Sequence, residues 1–82
     1  MNSPIMNKCE LSNSVKSSLD QYFKDLDGES PHAIYDMVLS CIEKPLLEYT
    51  LQYAGGNQSK AAEILGLNRN TLRKKMKQYN IE

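Results

Sequence analysis

A chain of 82 residues, 40% hydrophobic and 24% charged, fits one small domain with a folded core and has no tract suited to disorder. A monomer of this length buries only about 60% of the surface its unfolded chain exposes, so its stability alone is expected to be marginal. The ten basic and ten acidic residues cancel overall but not locally: residues 1–56 carry four Lys against eight Asp or Glu, net −4, whereas residues 57–82 carry six Lys or Arg against Glu63 and Glu82, net +4.

No run approaches the 18 or so apolar residues of a membrane span, and residues 1–10 lack the apolar stretch of a secretory signal, so a cytoplasmic protein with no membrane partner is expected. Two cysteines, Cys9 and Cys41, are too few for a disulfide framework. Together with the lone His32 they are too scattered for a zinc site, whose ligands come in closely spaced pairs. Cys41 reads as a small core residue, and His32 as a solvated residue in the first turn of a helix. No paired carboxylates, nucleophile with a base, or metal set occurs at usable spacing, so no catalytic residue, metal or cofactor is expected.

The first predicted element follows the N-capping residues Ser12, Asn13 and Ser14. Val15, Leu19, Tyr22, Phe23 and Leu26 recur there at helical spacing, which predicts an amphipathic helix over residues 14–26 and a mobile arm over residues 1–13. Asp27-Gly28 ends it as a turn, and Ser30-Pro31 restarts the chain with a capping hydroxyl and a proline at the first helical position. The second helix runs to about Tyr53. Its apolar residues, among them Ile34, Met37, Val38, Leu39, Ile42, Leu46, Leu47 and Leu51, are too many for one stripe, so it must be covered on several sides. Four short helices in one monomer would struggle to do that, and a second copy is predicted to intertwine with residues 14–54. Pro45 within this helix predicts a kink.

Gly55-Gly56 is the sharpest break in the chain. It reads as a helix C-cap followed by Asn57 as the next N-cap. A phosphate loop is excluded, because the G-x-x-x-x-G-K-[ST] spacing is absent and no strand precedes it. A short third helix follows, with Ala61 and Ala62 where another helix can approach closely. Gly66-Leu67 is a tight turn, and Asn68 caps a last helix in which Leu72, Met76 and Tyr79 face inward. Residues 57–80 therefore read as helix, three-residue turn, helix.

On the outward side of the last helix a wheel groups Asn70, Arg73, Lys74 and Lys77, with Asn68 and Arg69 at its N-terminal tip. A major-groove reader needs this arrangement: Arg bonds guanine O6 and N7, Asn bonds adenine, and flanking Lys and hydroxyl groups hold phosphates. Asn57 and Ser59 at the start of the preceding helix can add a phosphate contact. The predicted fold is thus all-α, with four helices in a single folded domain over residues 14–82, and the predicted partner is double-stranded DNA.

The residues Gly56-Asn57-Gln58-Ser59-Lys60-Ala61-Ala62 and Leu67-Asn68-Arg69-Asn70-Thr71-Leu72-Arg73-Lys74-Lys75 resemble the Fis family, the factor for inversion stimulation of bacterial nucleoids. The likeness extends back through Lys44-Pro45-Leu46-Leu47 to Ser14-Val15-Lys16. The C-terminal motif is shared with the terminal domains of nitrogen-regulation-type activators, while the upstream helices and the length favour Fis. The resemblance implies a nucleoid-associated homodimer whose recognition helices lie closer together than one turn of straight DNA, so that the duplex bends and A/T-centred sites are read through deformation energy. Carried over by position, Asn68 and Arg69 are the base-proximal readers. Thr71, Arg73, Lys74, Asn57, Ser59 and Lys60 fall on phosphates or groove edges, and Lys77 adds charge outside.

Ser59 replaces the family's usual threonine and keeps the hydroxyl. Gly55 and Gln78 stand where relatives carry arginine and lysine, which bears on how far flanking DNA is wrapped. The segment before Ser14 is shorter than the arm relatives use to contact an invertase, so transcriptional regulation and chromosome organisation are the expected roles. RNA polymerase or a recombinase would be a further partner. An operator-specific repressor or activator, and a helical protein-interaction module, are the competing readings. Operator proteins gain about 10³ or more over random DNA, and an interaction module shows no salt-dependent DNA affinity.

Overall fold

The computed structural model describes residues 8–82 and is all-α, with four helices and no strand among the described residues. They are α1 (Lys8–Lys24), α2 (Ile34–Tyr53), α3 (Gln58–Leu65) and α4 (Arg69–Gln78). Expectations for residues 1–7 and for the Cys9 side chain lie outside the described residues.

Two helix starts differ from the sequence expectation. Helix α1 begins at Lys8, so residues 8–13 of the expected arm are helical and Ser12, Asn13 and Ser14 are interior residues. Their helix penalty is only about 0.5 kcal/mol each, too little to stop a helix that continues on both sides. Helix α2 begins at Ile34 and not at Pro31, which places His32 before the helix as an exposed residue. The reason is Ala33, whose φ of 54° is left-handed and incompatible with a helix interior; its carbonyl accepts from the Met37 N–H at 3.1 Å as the helix starts. The turn at Asp27-Gly28 is present, with φ of 52° and 91°.

The chain divides into two compact units, one running to Val38 and the other spanning Leu39–Glu82. The first holds α1 and the opening turn of α2. Val15, Leu19, Tyr22 and Leu26 form the predicted stripe but are only half-buried, and Phe23 stays 48% exposed, edge-on to Tyr22 at 5.7 Å between ring centres. Among the described residues this unit has no fully buried side chain.

The second unit has a true core. Leu47 and Leu51 of α2, Ala61 and Ala62 of α3, and Leu72 and Met76 of α4 are all buried, with Leu65, Leu67, Tyr79 and Ile81 packed against them. Each buried leucine contributes about 1.5–3 kcal/mol, and the two alanines let the helices approach closely. The boundary therefore falls inside α2, and the C-terminal part of that helix belongs with α3 and α4. Cys41 is not in this core, contrary to expectation, and is an exposed free thiol. It lies about 120° and 80° around the helix from Leu47 and Leu51, off the buried face. Helix α2 runs on through Pro45, whose missing N–H leaves the Cys41 carbonyl without its usual helical donor.

Each helix of this unit ends in the same way. Gly56, Leu67 and Ile81 donate their N–H groups back to Leu51, Ala62 and Met76 at 2.9, 2.9 and 2.8 Å, while Gly55, Gly66 and Asn80 sit just before them with positive φ. This double closure satisfies the last carbonyls, and at α3 and α4 it turns Leu67 and Ile81 back onto the core. At Gly66, with φ of 75°, only glycine adopts the conformation without strain.

Candidate nucleic-acid interface

Helices α3 and α4 are joined by the three residues Gly66, Leu67 and Asn68. Asn57 caps α3 by accepting the Lys60 N–H on its side-chain oxygen at 3.1 Å, and Asn68 caps α4 by accepting the Asn70 N–H at 2.8 Å. Both caps hold φ and ψ in the extended region, so the chain enters each helix at a set angle.

With Leu72 and Met76 buried, the outward face of α4 is settled. Asn68, Arg69, Asn70, Thr71, Arg73, Lys74 and Lys77 are all exposed, as are Asn57, Ser59 and Lys60 at the start of α3. Arg69, Arg73, Lys74 and Lys77 make no ion pair among the described residues. An open groove of about 490 Å³ is bordered by Gln58 from α3, by Asn70, Arg73, Lys74 and Lys77 from α4, and by Glu82. The first turn of α3 thus meets the basic face of α4 along one groove, where unbonded N–H groups at a helix start favour an anion.

The structure refines two of the site residues expected from the sequence. The side-chain oxygen of Asn68 is engaged in its cap, which leaves its amide N–H₂ to donate to purine N7, thymine O4 or a phosphate and withholds the bidentate pairing that reads adenine. The same holds for Asn57. Gln58 and Asn70 border the groove although neither was among the candidate contacts; the wheel that grouped Asn70 with Arg73 and Lys74 carried that signal.

One polar cluster was missed. The Glu43 carboxylate of α2 accepts the Lys75 ammonium at 2.7 Å and the Tyr79 hydroxyl at 2.5 Å, with the Lys75 and Glu43 side chains 29% and 15% exposed. The Lys75 hydrogen bond, and after it that of Tyr79, hold the Glu43 carboxyl below its usual 4.5 against the opposing effect of burial. Donating to the Glu43 carboxylate pushes the Tyr79 phenol above its usual 10.0, with burial acting the same way. Because the folded-state carboxyl is depressed, its contribution to stability is complete above 4.5 and is lost as the pH falls below that value. Glu43→Gln is therefore expected to melt below the wild type at pH 7, with the gap closing on acidification through the carboxylate range. A gap independent of pH would show that the charge is not what stabilises.

Fold and face together define the class: a helix-turn-helix protein whose recognition helix presents a basic surface. A family model described as bacterial regulatory protein, Fis family, matches residues 39–79. Over 76 residues the chain is 51% identical to a Fis-like DNA-binding protein of Ralstonia nicotianae, covering 93% of this chain and 99% of that one. It is 54% identical over 72 residues to a Fis-like DNA-binding protein of Neisseria meningitidis, covering 88% and 91%, and 49% identical over 79 residues to the DNA-binding protein Fis of Actinobacillus succinogenes, covering 96% and 79%. The chain belongs to the Fis family.

Proposed function

We propose that this protein is a DNA-binding and DNA-bending homodimer that acts as a nucleoid-associated protein and transcriptional regulator, reading degenerate A/T-centred sites with α4. The observation that carries this reading is the outward face of α4, where Arg69, Arg73, Lys74 and Lys77 are exposed and unpaired among the described residues. Set in the major groove, Arg69 at the helix tip reaches a base edge, where its fork matches guanine O6 and N7. Asn68 donates beside it. Thr71, Arg73 and Lys74 hold the phosphates along one wall, Asn57, Ser59 and Lys60 hold them at the start of α3, and Lys77 adds charge outside.

Support for a homodimer comes from α2. Leu39, Ile42, Leu46, Tyr49 and Tyr53 repeat at alternating steps of three and four residues and are 38, 36, 46, 72 and 78% exposed. This is the spacing of a helix-packing seam, about 140° around the helix from Leu47 and Leu51. A second copy of the chain covers it. In such a dimer two α4 helices spaced more closely than a turn of DNA bend the duplex, and a compressible A/T-rich centre lowers the cost of bending.

The test is a gel-shift titration of wild type and Arg69→Ala on an A/T-centred duplex at two salt concentrations. With about six to eight phosphates neutralised per dimer, log K falls against log salt with a slope of roughly −5 to −7. Arg69→Ala is expected to lose about 1–3 kcal/mol of binding. A slope near zero, or no binding by the wild type, would overturn the proposal.

A further inference from the structure

Leu47 and Leu51 lie on one face of α2, and Ser40 and Glu43 continue that face at helical spacing. Leu72, Lys75 and Met76 of α4, with Tyr79 at its C-cap, form the facing stripe, so the apolar contact ends in a polar one. Glu43 takes both Lys75 and Tyr79 on its two carboxylate oxygens. Apolar contacts are non-directional and tolerate small rotations of one helix on another, whereas hydrogen bonds favour one angle.

We propose that Glu43 is a positioning residue for DNA recognition: by gripping Lys75 and Tyr79 together it sets the rotation and tilt of α4 on α2. The proposal rests on the DNA-binding reading above. Helix α4 has ten residues and spans about 15 Å, with Arg69 at one end and the gripped pair toward the other. A tilt of about 10° about the gripped pair, whose midpoint lies about 12 Å from Arg69 along the helix, moves the Arg69 end by about 2 Å, several times the tolerance of a bidentate hydrogen bond. The grip also reaches further. Glu43 lies on the helix that carries the exposed Leu39 to Tyr53 seam, so in a dimer it ties each α4 to the element that sets the distance between the two recognition helices. That distance decides how far the DNA must bend, and hence how strongly an A/T-rich centre is preferred over a stiffer one.

The experiment compares the full-length wild type with Glu43→Ala, Glu43→Gln and Tyr79→Phe on two duplexes of equal length, one A/T-centred and one G/C-centred. Glu43→Ala is expected to lose about five-fold or more of the preference for the A/T-centred duplex, with affinity for the G/C-centred one within about two-fold of wild type. Glu43→Gln, which keeps one acceptor oxygen and turns a donating amide toward the other partner, should restore only part of that preference, and Tyr79→Phe should lose part of it. The two milder variants carry the comparison should Glu43→Ala fail to fold.

Amide residual dipolar couplings of the free proteins give an arm independent of DNA. In the wild type, α4 and residues 44–53 should fit one alignment, and in Glu43→Ala α4 should require its own. Unchanged preference in a folded variant overturns the proposal, as does an equal rise in affinity for both duplexes, which would mean that Glu43 does no more than neutralise Lys75. If the wild type binds neither duplex, the DNA-binding reading has failed, while the couplings still decide whether Glu43 orients α4.

Discussion

Leu72→Ala is expected to lower stability by about 2–5 kcal/mol, because the side chain is 0% exposed and the surroundings of a fully buried leucine relax only partly into the space it leaves. For a chain of 82 residues that corresponds to a fall in Tm of roughly 10 to 30 °C. Leu72 is buried in the core it shares with Leu47 of α2 and the two alanines of α3, so its loss loosens α4 without touching its exposed basic face. Leu72→Met, which nearly conserves volume, should cost less than about 1.5 kcal/mol. A thermal melt of both variants decides the matter: a change under about 3 °C for Leu72→Ala would show that α4 is not held by this core.

The second large effect is expected at the exposed seam of α2. Replacing Ile42 and Leu46 together by aspartate places two carboxylates where the proposed partner copy packs, and burying unpaired charge there weakens association by at least about 4 kcal/mol, roughly 10³ in Kd. Sedimentation of the double variant at micromolar concentration should show monomer where the wild type shows dimer. Its DNA affinity should fall with it, and the salt slope should drop to about half, since one recognition helix neutralises half the phosphates. The buried face with Leu47 and Leu51 lies on the far side of α2, so the helical circular dichroism of the C-terminal unit should be retained. A double variant that remains dimeric would locate the interface elsewhere.

The features the sequence by itself determined are those set by neighbours in the chain. Gly55-Gly56, Asn57, Gly66 and Asn68 mark helix ends through hydrogen bonds spanning no more than five residues, so the residue types alone locate the turn between α3 and α4. The inward stripe of Leu72, Met76 and Tyr79 follows from helical periodicity, and the outward basic face is its complement. Local patterns were weaker where two tendencies compete: the capping residues before Val15 did not start α1, and Ser30-Pro31 did not start α2, because a left-handed residue at Ala33 governs where that helix begins.

What only the tertiary structure decided depends on residues distant along the chain. Glu43 meets Lys75 and Tyr79 across 32 and 36 positions, and no periodicity within either helix announces a pairing that exists only once α2 and α4 pack. The same packing assigns the C-terminal part of α2 to the recognition unit and leaves Cys41 outside the core. An apolar helix can bury only the face that a neighbour reaches, and which face that is depends on where the chain returns.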